Sequence, residues 1–261
     1  MGFYSRARLE AMSPDEQQQL VATHINLGYH PVTGDEFLVP TLDLHSGFTI
    51  NGVQGSGKSA LVQYIVYQLV QQGYAVAVAD PHLDTIDDCI AQLPDWALQK
   101  TFVLDLTDVD WPFAANVLAL GQLVTPEERT AAVDRIVHIF ELLWPETGSQ
   151  VGLPRYLRNA VLALLDTPNT TLVDMYDLLT DEVVRARIVA RVTDPTVRSF
   201  WRRFSLLKPT RQDTLVGPLV ARLEALFAGR PIVRNIVGQR ANSVDWRKVI
   251  DERQIVLIKL P

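Results

Sequence analysis

The chain has 261 residues, of which 48% are hydrophobic and 21% are charged, and its formal net charge is −6. These values are those of an ordinary globular protein, and they exclude a chain that is mostly disordered. The acidic balance also argues against a surface that is basic throughout, although a local basic stripe or pore is compatible with it.

Cysteine content and hydropathy limit the expected compartment. The single cysteine, Cys89, cannot form an intramolecular disulfide bond. No stretch approaches the roughly 20 apolar residues that a membrane-spanning helix needs, and residues 1–20 are too polar for a signal peptide. We therefore expect a cytoplasmic protein with no membrane span in this chain, in which Cys89 is a buried free thiol.

The N-terminal residues predict a helix followed by a hairpin. Ser13 can cap a helix, and Glu16 stands where a capping box places its carboxylate. Turn residues at 33–35 lie between apolar segments, which indicates a small hairpin over 30–40. We assign residues 1–33 to an N-terminal helix and linker.

Residues 34–123 predict the N-terminal part of an α/β core. A short apolar strand is expected over 48–51, followed by a helix that ends at Gly73. The continuous apolar runs at 74–79 and 102–106 have the length of strands buried on both faces. Such strands are typical of a parallel sheet covered by helices.

After about Val124 the pattern changes to helical periodicity, and no convincing strand follows for some distance. We predict an all-helical insertion over 124–245 and a return to the core over 246–261, with a strand at 255–260. One helix of the insertion is expected to begin at Thr125. The other expected helices lie at 153–165, 172–179, 181–192, 194–207, 210–228 and 232–237.

A phosphate-binding loop, or P-loop, separates the expected strand over 48–51 from the helix after it. Residues 52–59 match the pattern G-x-x-x-x-G-K-[ST]. Glycines allow backbone N–H groups to approach phosphate oxygens, Lys58 would add a positive charge, and Ser59 would offer its hydroxyl to Mg²⁺. We therefore predict an ATP and Mg²⁺ site; GTP is disfavoured because no Asn-Lys-x-Asp segment follows. The expected binding residues are Gly52, Val53, Gln54, Gly55, Ser56, Gly57, Lys58, Ser59 and Ala60.

Two aspartates follow apolar strands and could complete this site. Asp80 and Asp105 each stand where a Walker B aspartate would, although neither is followed by glutamate. Asp80 precedes Pro81 and His82 at the edge of the sheet where ligands bind in α/β folds. We therefore predict that Asp80 acts with Lys58 in catalysis and holds magnesium through water. The alternatives are that Asp80 and Asp84 cap a turn and that Asp105 begins a loop.

The P-loop is one of several segments that together are similar to a known group of proteins. The other segments lie at 78–82, 102–105, 111–116, 158–160, 194–201 and 255–258. In combination they resemble the HerA/FtsK superfamily of DNA-pumping motor ATPases. Within it the chain looks most like type IV secretion coupling proteins and their soluble relatives in conjugation. The likeness runs from about Gly34 to the last residue.

The resemblance implies a RecA-like P-loop ATPase core with an all-helical insertion, assembled as a hexameric ring that draws DNA through a central pore. Two departures from the family pattern stand out. Leu83 stands where the family usually has glycine after Asp-Pro-His. In the family, the Walker B strand with its catalytic glutamate follows the equivalent of 255–260. The resemblance therefore implies a chain that is C-terminally truncated relative to the family and lacks that glutamate and an identifiable arginine finger.

Two alternative functions stay open. One is a P-loop kinase for a small molecule, in which Asp80 is the base and Arg185, Arg187 and Arg191 close as a lid over the phosphates. The other is a nucleotide-binding scaffold without turnover.

Two further groups of side chains, the tryptophans and a cluster of arginines, have ordinary structural explanations. We expect most of the five tryptophans to pack in the core, because they lie beside apolar stripes. The basic cluster of Arg198, Arg202 and Arg203 is expected to be a solvated helix face.

Overall fold

The computed structural model describes residues 2–81, 83–119, 125–145, 152–229 and 231–260. Within these ranges the chain is an α/β protein, as predicted, and it divides into two compact units. The first unit consists of Met1–Thr107 with Asp245–Pro261, and the second of Asp108–Val244. Among the described residues, none of the helices combines the length and apolar character needed to cross a membrane.

The first unit begins with a small antiparallel sheet in the strand order β1-β3-β2. The capping box between Ser13 and Glu16 is present. The predicted hairpin also forms, but it begins at His24 and not at residue 30, because residues 24–29 are its first strand. In its turn the N–H of His30 donates to the carbonyl of Asp35 (2.7 Å). The elements are β1 (Gly2–Tyr4), α1 (Arg6–Glu10), α2 (Pro14–Thr23), β2 (His24–Tyr29), β3 (Glu36–Pro40) and a 3₁₀ helix (Thr41–Ser46).

The chain then alternates between helices and strands as far as residue 105. The helix after the P-loop and both strands of this region were predicted from their apolar runs. The elements are α3 (Lys58–Gln71), β4 (Val76–Asp80), α4 (Leu83–Gln92), α5 (Asp95–Leu98) and β5 (Thr101–Asp105). Cys89 lies on α4 and is buried, as expected, and burial raises the pKa of its thiol.

The strand expected over 48–51 is wrong. These residues form irregular backbone, and Phe48 is 53% exposed. An apolar sequence becomes a strand only where another strand supplies hydrogen-bonding partners. Strand β4, in contrast, pairs with a strand from the end of the sequence, β6 (Ile255–Lys259).

Where the second unit is described, its regular structure is helical, as the 3.6-residue periodicity predicted. Its helices are α6 (Pro126–Leu143), α7 (Leu153–Leu165), α8 (Leu172–Thr180), α9 (Glu182–Val189), α10 (Pro195–Ser205), α11 (Pro209–Ala228) and α12 (Pro231–Val237). The bounds of α7 are those predicted. The unit also includes residues before α6, because Ala114 donates its N–H to the Ser243 hydroxyl (2.7 Å).

The core of the second unit contains one of the five tryptophans. Trp201 on α10 is fully buried and donates its indole N–H to the carbonyl of Asn159 (3.1 Å). Trp144 packs partly against the same core. The expectation of core packing is wrong for Trp96, Trp111 and Trp246, which are about half exposed or more.

The chain returns to the first unit through α13 (Trp246–Asp251) and β6 (Ile255–Lys259). β6 lies between β4 and β5 and is parallel to both, which confirms the predicted parallel sheet and return strand. Ile255 and Leu257 share a buried cluster with Val76 of β4 and with Val66 and Val70 of α3. Helices α3 and α4 therefore cover one face of the sheet. The expectation that β4 and β5 are buried on both faces is wrong, because Ala77 and Val103 are exposed.

Arg185 on α9 is a structural residue of the second unit. It is 3% exposed, and its guanidinium donates to the carbonyls of Leu178 and Leu179 (3.2 and 3.1 Å) and to the side chain of Gln212 (2.9 Å). Burial lowers its pKa. These bonds satisfy carbonyl groups at the C-terminal end of α8, which have no partner within the helix.

Replacing Arg185 with Met is expected to lower the free energy of unfolding by about 3 kcal/mol, because buried carbonyls lose their donors. Urea denaturation followed by circular dichroism measures this change. Arg187→Met is the matched control on the same helix, and since Arg187 is exposed we expect a change within about 0.5 kcal/mol. Equal losses in the two variants would contradict this role for Arg185.

Candidate nucleotide site

The P-loop leads directly into α3. Gly57 precedes the helix with φ of 84°, and Gly55 has φ of 79°. Both lie in the left-handed region, which glycine adopts without the penalty of a Cβ atom. No side chain caps the first turn of α3. Its N–H groups therefore stay available to an anion, and they carry the partial positive charge of the helix N-terminus.

Lys58 folds back over the loop. Its ammonium group donates to the carbonyls of Gly52 (2.9 Å) and Val53 (2.8 Å). An ammonium has three N–H donors, so one is left for a ligand oxygen. The first helical residue is thereby tied to the residues at which the loop begins.

Gly52 packs closely against the side chain of Ser56 within the loop. A Cβ atom at this position would overlap the hydroxyl of Ser56. The loop is closed further by the N–H of Ser56, which donates to the carbonyl of Val53 (3.2 Å). The loop thus combines backbone donors, two left-handed glycines and one ammonium, which are the groups from which phosphate-binding loops are built.

The carboxyl ends of the parallel strands carry a row of alternating charges. Asp80, Lys259 and Asp105 are register partners across β4, β6 and β5. The Lys259 ammonium lies 2.6 Å from a carboxylate oxygen of Asp87 on α4 and 3.9 Å from one of Asp105. Its side chain is only 16% exposed. A partly buried cation here compensates the acidic residues that gather at this edge.

The structure gives the two predicted aspartates different local roles. Asp105 accepts from the N–H (2.7 Å) and hydroxyl (2.6 Å) of Thr107, which confirms that it begins a loop. Asp80 ends β4, at the edge where the sequence predicts ligand binding. Asp84 does not cap an isolated turn, because it lies in the first turn of α4. His82 lies outside the described residues.

Lys259 is the residue of this edge that sequence reasoning missed. It follows the apolar residues 255–258 at the end of a strand, just as Asp80 and Asp105 follow theirs. That pattern was a usable signal, but the strand order that places Lys259 between the two aspartates cannot be read from the chain.

The arginines singled out from the sequence lie in the second unit. Arg185 is buried in structural hydrogen bonds, as described above. Arg198 donates to the carbonyl of Val192 (3.0 Å), whereas Arg202 and Arg203 are exposed, as a solvated helix face predicts.

Comparison with known proteins leaves the family unassigned. No protein-family model matches the sequence, and no curated protein matches it. Within the described part of the chain, no group of three or more His, Cys, Asp or Glu side chains is arranged to hold a metal ion. The predicted magnesium ligands therefore stay predictions that rest on the loop and on Asp80.

Replacing Lys259 with Met is expected to destabilise the protein by about 1–2 kcal/mol, because Asp87 and Asp105 lose their partly buried partner. Chemical denaturation measures the loss. Adding Asp105→Asn to Lys259→Met should cost less than the sum of the two single changes. Lys248→Met, at an exposed position on α13, is the control. Strict additivity would show that Lys259 and Asp105 do not interact.

Proposed function

We propose that this chain is the ATP-binding subunit of a DNA-translocating motor ATPase related to the coupling proteins of conjugation and type IV secretion. The observation that carries the proposal is the geometry of the P-loop. Left-handed Gly57 begins the 14-residue helix α3, and the ammonium of Lys58 lies on the loop carbonyls. Backbone donors, a helix N-terminus and a cation thus converge on one position, as recognition of a triphosphate requires.

The residues of the loop have separate roles in this proposal. The N–H groups at the start of α3 and the ammonium of Lys58 hold the phosphates, and Ser59 offers its hydroxyl to Mg²⁺. Asp80 holds magnesium through water. When bound, Mg²⁺ neutralises charge on the phosphate oxygens. The chain itself supplies binding and orientation, which are the main contributions of protein groups to phosphoryl transfer.

The architecture supports a RecA-like core. A parallel sheet is covered by α3 and α4 on one face, and the helical second unit is inserted in the sequence between β5 and β6. This arrangement agrees with the all-helical insertion of the HerA/FtsK superfamily. Assembly as a hexameric ring, DNA as the partner and a cytoplasmic location are proposed from the resemblance described above.

The kinase alternative needs three arginines in a mobile lid; Arg187 and Arg191 are exposed, but Arg185 is not free to move. Arg185 is buried within the second unit and its guanidinium is hydrogen-bonded there. The scaffold alternative differs from the motor in turnover, so a hydrolysis measurement separates the two.

Lys58→Ala is expected to weaken binding of a fluorescent ATP analogue by at least about tenfold and to abolish phosphate release, because the charge facing the terminal phosphates is lost. Phosphate release from magnesium ATP is measured with and without duplex DNA. Lys100→Ala, at an exposed position of the same unit, is the control. Release stimulated by DNA supports the motor. Binding without release supports the scaffold, and unchanged binding by Lys58→Ala would refute the proposed site.

Asp80→Asn is expected to lower the rate of phosphate release more than Asp105→Asn does, by about tenfold or more, if Asp80 helps to hold magnesium. The rates are compared over a magnesium titration, because loss of a magnesium contact also raises the magnesium concentration required. Equal and mild effects of the two substitutions on phosphate release would show that both aspartates have structural roles only.

A further inference from the structure

The second unit contains a polar pocket of about 320 Å³ that the proposed nucleotide site does not use. Its wall is formed by Arg129 of α6, Arg240 after α12 and the loop between α7 and α8, including Thr167 and Asn169. Its volume is near the lower end of the range of about 300–1,000 Å³ that is usual for small-ligand sites.

Arg129 is held rigidly at one side of this pocket. Its Nη2 donates to the carbonyl of Leu162 (3.0 Å) and lies 2.7 Å from an oxygen of Asp166. Among the described residues, Nε and Nη1 of Arg129 make no hydrogen bond. The guanidinium is therefore oriented by one nitrogen, and its other donors remain for a ligand.

The carboxylate beside Arg129 is already satisfied. Asp166 has a side chain that is 5% exposed, and one of its oxygens faces Arg129. The other oxygen accepts from the N–H (2.7 Å) and the hydroxyl (2.9 Å) of Thr193. Asp166 therefore orients Arg129 and offsets its charge, so the guanidinium of Arg240 supplies the net positive charge of the pocket.

The side chains of Arg240 and Asn169 also line the pocket; both residues are exposed, and neither side chain has a hydrogen-bond partner among the described residues. Asn169 has φ of 61°, a left-handed conformation that is uncommon outside glycine. The loop that contains Asn169 is held in place by a hydrogen bond from a buried side chain. Buried Asn116 donates to the carbonyls of Thr170 (2.9 Å) and Arg240 (3.2 Å). Asn116 thus links the two segments that carry the free donors.

The pocket therefore presents an excess of donors and of positive charge. Two guanidinium groups and a carboxamide are available, while the neighbouring carboxylate is fully engaged. Such a set complements an anion with several acceptor oxygens, and arginine matches the oxygens of phosphate particularly well. We propose that the pocket of Arg129, Asn169 and Arg240 binds a phosphate group, carried either by a small phosphate ester or by the backbone of a nucleic acid.

The test uses the full chain with Lys58→Ala, so that the P-loop does not contribute and failure here leaves the proposed nucleotide site untouched. Calorimetric titrations are made with inorganic phosphate, with adenosine monophosphate and with a short DNA duplex. Arg240→Gln and Asn169→Gly are the test variants; glycine keeps the left-handed backbone while removing the carboxamide. Arg202→Gln is the control, because Arg202 is an exposed arginine of the same unit whose side chain makes no hydrogen bond to the described residues.

We expect Arg240→Gln to weaken phosphate binding about tenfold and Asn169→Gly to weaken it several-fold, whereas Arg202→Gln leaves it unchanged. If Arg240→Gln also weakens duplex binding and lowers its salt dependence by about one phosphate contact, the source is a nucleic-acid backbone. If Arg240→Gln weakens binding of the small ligands only, the phosphate group that the pocket binds belongs to a small phosphate ester. Binding that is equal in all variants, or is lowered equally by Arg202→Gln, would overturn the proposal.

Discussion

The pairing of β6 with both β4 and β5 is the interaction on which the first unit depends. β6 is the central strand of the parallel sheet, yet the whole second unit separates it from β5 in the sequence. Closing so long a connection costs conformational entropy. Full burial of Val256 and Leu257 offsets that cost. The same pairing fixes Lys259 between Asp80 and Asp105, so the architecture of the sheet also sets the electrostatics of its carboxyl edge.

Features that depend on neighbouring residues could be predicted from the sequence. The capping box at Ser13 joins residues three apart and forms as expected, and the helix expected to begin at Thr125 begins there with a capping box of its own. The bounds of α7 follow from apolar periodicity, and its buried face includes Leu157 and Val161. The glycines of the P-loop belong to the same class, because their left-handed conformations meet a requirement of the loop itself. In each case the interactions that favour the local structure are made between residues that are close together in the sequence.

Features that depend on distant partners could not be predicted. Residues 48–51 have the apolar composition of a strand, but composition does not supply a neighbouring strand. Trp111 and Trp201 have the same side chain, yet one is 85% exposed and the other is fully buried. The role of Arg185 likewise depends on carbonyl groups of α8 and on Gln212 of α11. Burial, strand order and the pairing of buried charges are properties of the assembled fold, which a single sequence reveals only indirectly.

The P-loop illustrates why a binding motif can be more predictable than its surroundings. The bonds from Lys58 to Gly52 and Val53 restrain the loop at both ends, and they involve only residues of the motif. This restraint removes conformational freedom that a ligand would otherwise have to remove on binding, so it favours affinity. It does not require a regular strand before the loop, which agrees with the irregular backbone at 48–51. The geometry of the loop is therefore encoded within eight residues, whereas the acidic groups that would complete the proposed site depend on how three distant strands assemble.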